Sequence, residues 1–147
     1  MKNTLSCIAL AASSLFFAST SIAQTVASSD QLYQAFGEKA GLVVLMDDFM
    51  ERLVADARTA PYFKAANQQR IKAQLVEQLC ALAGGPCVYS GADMKSSHLS
   101  LGIKKSDFHA LVEVLQHSMD AKGIAFYKQN EMLALLAPMN RDIITVK

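Results

Sequence analysis

An apolar pattern with helical spacing between residues 42 and 53 is what most limits the folds open to this chain. Its members are Leu42, Leu45, Met46, Phe49, Met50 and Leu53. Charged residues occupy the other side of the same segment, which is typical of a helix that buries one face. Similar stripes recur at 71–82, 108–119 and 132–139, and no strand-like alternation of useful length occurs. We therefore predict an all-α fold.

Glycine and proline residues set the expected helix boundaries. The long helices are predicted at 41–56, 68–83, 106–121 and 127–145, after a short helix that Gly37 ends. Ser106 is the expected N-cap of the third long helix. Pro138 has no backbone N–H and should kink the fourth long helix. Four amphipathic helices suit an up-down bundle or a globin equally, and periodicity does not separate the two.

The first 23 residues have the composition of a secretory signal peptide. Lys2 provides a positive start, Leu5 to Phe17 is mostly apolar, and Ser21-Ile22-Ala23 resembles a cleavage site. Cleavage there leaves residues 24–147 as one domain with one core. We expect a periplasmic or secreted protein without a membrane anchor, because no later segment is apolar enough to span a bilayer.

Charge and cysteine content narrow the classes further. The formal net charge is +1 and no basic cluster occurs, which argues against a nucleic-acid partner. The domain keeps Cys80 and Cys87. A continuous helix would hold their Cα atoms about 10 Å apart, too far for a bridge, but the Gly84-Gly85-Pro86 break lets the chain fold back. We predict a disulfide in an oxidising compartment; two buried free thiols are the alternative.

Residues 84–103, GGPCVYSGADMKSSHLSLGI, present a single histidine, His98, four positions after Met94. Gly-Gly-Pro, Tyr-Ser-Gly and Met-x-x-x-His in this order resemble the proximal half of a group 1 truncated haemoglobin. Four further matches are Leu32-Tyr33, Asp47-Asp48-Phe49, Pro61-Tyr62-Phe63 and Ala137-Pro138. Together the matches extend from Leu32 to about Ile143.

The resemblance implies a two-on-two globin fold, in which helices 41–56 and 68–83 cover one face of a haem and helices 106–121 and 127–145 the other. It implies that His98 is the proximal ligand of the haem iron. Side chains expected to contact the haem are Phe63, Met94, Tyr89, Phe108, Leu111 and Leu136. Because the chain has no C-x-x-C-H motif, the haem would be a non-covalent haem b. Without this context, His98 would be an ordinary surface histidine and the apolar residues ordinary core.

The chain departs from the family pattern where donors to a bound ligand are expected. Met50 follows Asp47-Asp48-Phe49, where the family usually has tyrosine, and Ile71 and Leu75 stand at the helix positions that face the iron. We therefore expect an apolar distal pocket, with Gln74 and Gln78 a helical step away. Whether Met50 or Lys72 occupies the sixth iron position stays open at this point. His109 and His117 are expected in solvent.

Three functions remain in competition. The first is reversible binding of diatomic gases (oxygen, nitric oxide or carbon monoxide) at the haem, with an electron-donating reductase as a candidate partner. The second is a haem enzyme, namely a nitric oxide dioxygenase or a peroxidase-like protein. The third is a four-helix module that binds an unrelated apolar ligand or a partner helix. A pocket without donors, acids or bases favours the first over the second.

Overall fold

The computed structural model describes residues 30–146, and every regular element within them is helical. The signal peptide predicted at 1–23 lies outside the described residues. The elements are α1 (Gln31–Ala35), α2 (Glu38–Ala55), α3 (Ala60–Phe63), α4 (Gln68–Leu82), α5 (Met94–His98), α6 (Lys105–Ala121), α7 (Phe126–Leu136), a 3-10 turn (Ala137–Met139) and α8 (Asn140–Ile143). In this range no helix is both long and apolar enough to cross a membrane. The all-α prediction is confirmed.

The apolar stripe of α2 is buried as predicted. All six of its residues are at most 3% exposed. The helix begins three residues earlier than expected, at Glu38, because Gly37 adopts a left-handed φ of 74° that turns the chain out of α1. Gly41 is required in the first turn, since a Cβ there would collide with the carbonyl oxygen of Phe36.

The predicted N-cap of α6 and the predicted effect of Pro138 both differ from the structure. Ser106 is not the N-cap of α6, because the helix begins at Lys105 and Lys104 is the cap. The carboxylate of Asp107 accepts the backbone N–H of Lys104 at 2.9 Å, so the acidic side chain satisfies this end of the helix. Pro138 interrupts the last helix rather than kinking it, since a 3-10 turn separates α7 from α8.

Helix α2 is the central element of the packing. It lies against α4 on one side and α6 on another, and α6 also contacts α7. Buried side chains from these helices form one core, which includes Leu53, Val76, Leu115, Met119 and Met132. The pairs α2 with α4 and α6 with α7 form the two-on-two arrangement, and they leave room between α4, α5 and α6 for a cavity.

Candidate functional site

A cavity of about 780 Å³ opens between the helix pairs. Its volume lies in the range of small-molecule and cofactor sites, roughly 300–1,000 Å³. Nine of the ten residues predicted to contact a cofactor line it: Phe63, Ile71, Leu75, Tyr89, Met94, His98, Phe108, Leu111 and Leu136. These residues are spread over the sequence from position 63 to position 136, and the fold brings them together around one cavity.

Met50 is the exception, because the cavity is lined by other residues of α2. It is buried, at 3% exposed, but it is not among the residues that line the cavity. Met46, Phe49 and Leu53 line the cavity from α2 instead. Positions 46, 49 and 53 follow the i, i+3, i+7 spacing of one narrow helix face, and position 50 lies at its edge. The sequence match to Asp47-Asp48-Phe49 did not resolve which side of the broad apolar stripe meets the cavity.

His98 ends the short helix α5, which Asp93 caps by accepting the backbone N–H of Ser96 at 2.9 Å. The ring nitrogen Nδ1 lies 2.7 Å from the carbonyl oxygen of Met94. Because a carbonyl oxygen only accepts, Nδ1 is the donor of this hydrogen bond, and Nε2 is the ring nitrogen left for a metal ion. No residue in the range 30–146 makes a hydrogen bond to Nε2. The half-buried His98 therefore offers one basic nitrogen at the cavity.

The loop before α5 is fastened to α4 at two points. Cys80 and Cys87 form the predicted disulfide, with Cα atoms 5.7 Å apart. Ser90 donates to the carboxylate of Glu77 at 3.2 Å. Within the loop, the hydroxyl of Tyr89 donates to the carbonyl oxygen of Ala92 at 2.7 Å. Burial is the main cause that raises the pKa of Tyr89, so its hydroxyl stays protonated at neutral pH.

Two glutamines correct the expectation of a wholly apolar pocket. Gln74 and Gln78 line the cavity beside Ile71 and Leu75. The positions 71, 74, 75 and 78 follow the i, i+3, i+4, i+7 spacing, so all four lie on one face of α4. From the sequence, Gln74 and Gln78 are expected a helical step away from Ile71 and Leu75, but this spacing puts them on the cavity face. Gln78 is 8% exposed, and its amide nitrogen lies 3.6 Å from Met94 Sδ and 3.4 Å from Met139 Sδ.

Polar side chains from α3 and α6 meet at another part of the lining. The hydroxyl of Tyr62 donates to Asp107 Oδ2 at 2.8 Å. The backbone N–H of Lys104 and then the Tyr62 hydroxyl lower the pKa of Asp107, and the same carboxylate raises the pKa of Tyr62. His109, which had been expected in solvent, is exposed yet also lines the cavity, whereas His117 is exposed and does not.

Lys72 is placed away from the cavity. Its ammonium group pairs with the carboxylate of Asp47 on α2, and it is not a lining residue. An amine held in an ion pair away from the cavity lining does not suit a metal ligand in the cavity. Neither side chain considered for a sixth iron ligand, Met50 or Lys72, therefore reaches the site.

The chain is similar in sequence to known globins, and in particular to truncated hemoglobins. A sequence profile described as bacterial-like globin matches residues 31–145. The group 1 truncated hemoglobin GlbN of Mycolicibacterium paratuberculosis is 32% identical over 114 residues, covering 78% of this chain and 84% of that protein. The group 1 truncated hemoglobin of Tetrahymena thermophila is 28% identical, with 77% and 93% covered.

Solved structures agree with this fold. The truncated hemoglobin of Tetrahymena pyriformis in its Fe(III) form superposes with a TM-score of 0.73 at 23% identity, covering 77% of this chain and 97% of that one. Chlamydomonas reinhardtii THB1 superposes with a TM-score of 0.65 at 28% identity, with 78% and 96% covered. The two-on-two arrangement of α2 with α4 and α6 with α7 is thus the arrangement of solved truncated hemoglobins.

Proposed function

The chain belongs to the bacterial-like globin family, as a group 1 truncated globin, and from that premise we propose that it binds haem b through His98 and reversibly binds diatomic gases there. The observation that carries the proposal is the hydrogen bond of His98 Nδ1 to the Met94 carbonyl oxygen. It leaves Nε2 as the ring nitrogen that can bind a metal at a large cavity. A histidine held in this way by its second nitrogen is the usual arrangement of a metal-binding imidazole.

The remaining lining fits a porphyrin. Phe63, Phe108, Leu111 and Leu136 offer the aromatic and aliphatic surfaces that a flat apolar ring needs for packing. A single imidazole is the protein ligand of a five-coordinate haem. When bound, the haem would supply the iron at which a diatomic gas is held. The chain itself would supply the ligand nitrogen and hold the ring without a covalent bond.

The polar groups on the α4 face of the cavity favour gas binding over a peroxidase-like reaction, whereas the ionisable side chains Asp107, His109 and Glu113 line it from α6. Heterolysis of a peroxide needs an acid or base near the reacting atoms. On the cavity face of α4 the only polar side chains are the amides of Gln74 and Gln78, which neither accept nor release a proton at neutral pH. Amides can still donate a hydrogen bond to a polarised diatomic ligand. We therefore propose oxygen and nitric oxide as ligands alongside carbon monoxide, with these amides as candidate donors to bound oxygen.

Export and electron supply belong to the same proposal. A disulfide between Cys80 and Cys87 supports an oxidising compartment, in line with the signal peptide expected at 1–23. A ferrous haem needs an electron donor, so a reductase is the expected partner. Edman sequencing of the protein recovered from the periplasm or medium tests the first part, since cleavage near Ala23 should leave Gln24 at the amino terminus.

Titration of the purified protein with haemin tests the proposed function. We expect a sharp Soret band that saturates at one haem per chain, and spectral changes on adding carbon monoxide or nitric oxide to the ferrous form. A second arm uses His98→Gly, which should bind haem more weakly at the same cavity. Failure of the wild-type chain to give a defined Soret band would contradict haem binding altogether. A normal band without a response to gases would contradict only the gas-binding part.

A further inference from the structure

Gln78 is a buried residue whose amide nitrogen contacts two methionines. The residue is 8% exposed, and its Nε2 donates to Met94 Sδ and Met139 Sδ. Thioether sulfur is a weak acceptor, so these are weak hydrogen bonds. They nevertheless bring one side chain of α4 against two residues that are distant from it in sequence.

The contacts of Gln78 join three separate walls of the cavity. Gln78 lies on α4, Met94 opens α5, and Met139 ends the 3-10 turn after α7. Helix α5 has only five residues, so few bonds of its own fix its position. It packs against α8, and the contact of Gln78 with Met94 adds an anchor at its first residue.

Met94 also touches the histidine through its backbone. Its carbonyl oxygen accepts the Nδ1 proton of His98 at 2.7 Å, while its sulfur accepts the amide of Gln78. A continuous series of contacts thus runs from the α4 side chain, through one methionine, to the imidazole. The hydrogen bond on Nδ1 sets both the orientation of the ring and the basicity of Nε2.

We propose that Gln78 is a positioning residue for His98, which fixes Met94 and thereby the direction and strength of the bond that the imidazole forms with haem iron. The proposal rests on the proposed haem binding by His98. It makes α4, the wall that also carries Ile71 and Leu75, mechanically linked to the proximal histidine. A shift of α4 therefore changes the position of His98, although Gln78 does not contact His98 directly.

The iron–histidine stretching band of the ferrous, gas-free protein, measured by resonance Raman, tests the proposal. Gln78→Met keeps the length of the side chain and removes the donor, and Met94→Leu removes the sulfur acceptor. We expect each variant to shift the band and the double variant to shift it no further than the larger single change. Haem transfer to an acceptor apoprotein should become about two- to five-fold faster in Gln78→Met, as expected for loss of one weak hydrogen bond.

Ser90→Ala is the matched control, because it removes a side-chain hydrogen bond between α4 and the loop before α5, the one to Glu77, without touching Gln78 or Met94. This variant should leave the band in place. An unshifted band in Gln78→Met, an equal shift in Ser90→Ala, or additive shifts in the double variant would each overturn the proposal. If Gln78→Met fails to fold, Met94→Leu is compared with Ser90→Ala instead. A band that shifts in Met94→Leu alone supports the proposal, and a band that stays unshifted in Met94→Leu overturns it. A wild-type protein with no iron–histidine band would instead contradict the proposed function.

Discussion

Cys80 and Cys87 are joined across the Gly84-Gly85-Pro86 break, so that the buried end of α4 is covalently tied to the loop that leads to His98. Cys80 is fully buried, and a Cβ on Gly85 would lie 2.7 Å from its sulfur and from the ring of Tyr33. The disulfide therefore connects the core to the loop that leads to His98. It holds this loop against α4 independently of Ser90 and Gln78.

Replacing both cysteines by alanine should lower the free energy of unfolding by about 2.5 kcal/mol, because the closed loop is short and the loss of chain entropy on unfolding is modest. Urea denaturation of the oxidised wild type and of the Cys80→Ala, Cys87→Ala variant measures the difference. Reductant should destabilise the wild type and leave the variant unchanged. Equal stability of the two oxidised proteins would show that the bridge does not hold the fold.

The Tyr62 and Asp107 pair should make stability depend on pH at both ends of the range. The pKa of Asp107 is lowered, so its ionised form stabilises the fold above its unfolded pKa of about 3.9, and this contribution is lost as pH falls through the folded pKa. The pKa of Tyr62 is raised, so its contribution is present below about 10 and is lost as pH rises through the folded pKa.

Thermal unfolding of Tyr62→Phe checks this pair. The variant should melt below the wild type at pH 7, and the difference should shrink under strongly acidic conditions. In an Asp107→Asn background the same change should have a smaller effect, because the charged acceptor is already gone. A difference that is the same at pH 7 and in acid would rule out the hydrogen bond as its cause.

Neither Met50 nor Lys72 should affect the coordination of the haem iron. Met50 is buried away from the lining and Lys72 is paired with Asp47. Met50→Leu and Lys72→Ala should therefore keep the ferric and ferrous absorption spectra of the wild type. A change of spin state in one variant alone would identify that residue as a sixth ligand and would contradict its observed placement.

Gln74 should slow the release of oxygen. Its side chain lines the cavity and has no hydrogen-bond partner in residues 30–146, so its amide is free to donate. One hydrogen bond of about 0.5–1.5 kcal/mol corresponds to roughly two- to ten-fold in a dissociation rate. Gln74→Leu should speed oxygen release by this factor and change carbon monoxide release less, as measured by stopped-flow mixing. An unchanged oxygen rate would assign the donor elsewhere.

The helices were predictable because each buries a stripe that follows the helical period, and the break at Gly84-Gly85-Pro86 predicted the fold-back that the disulfide requires. The sequence did not separate Met50 from Phe49, since both belong to one wide apolar face and only packing decides which side meets the cavity. The start of α6 was missed because a carboxylate at Asp107, rather than the hydroxyl of Ser106, satisfies the helix end. The contacts of Gln78 could not be predicted from the sequence, because Met94 and Met139 are distant from it along the chain.

The most direct test of the account is the ferrous absorption spectrum of His98→Gly with and without added imidazole. Removing the side chain leaves a cavity where the ligand nitrogen stood, and free imidazole can fill it. We predict a perturbed spectrum and weakened haem binding in the variant, both restored towards the wild type by imidazole. A variant that keeps the wild-type spectrum and full haem loading without imidazole would contradict the assignment of His98 as the iron ligand.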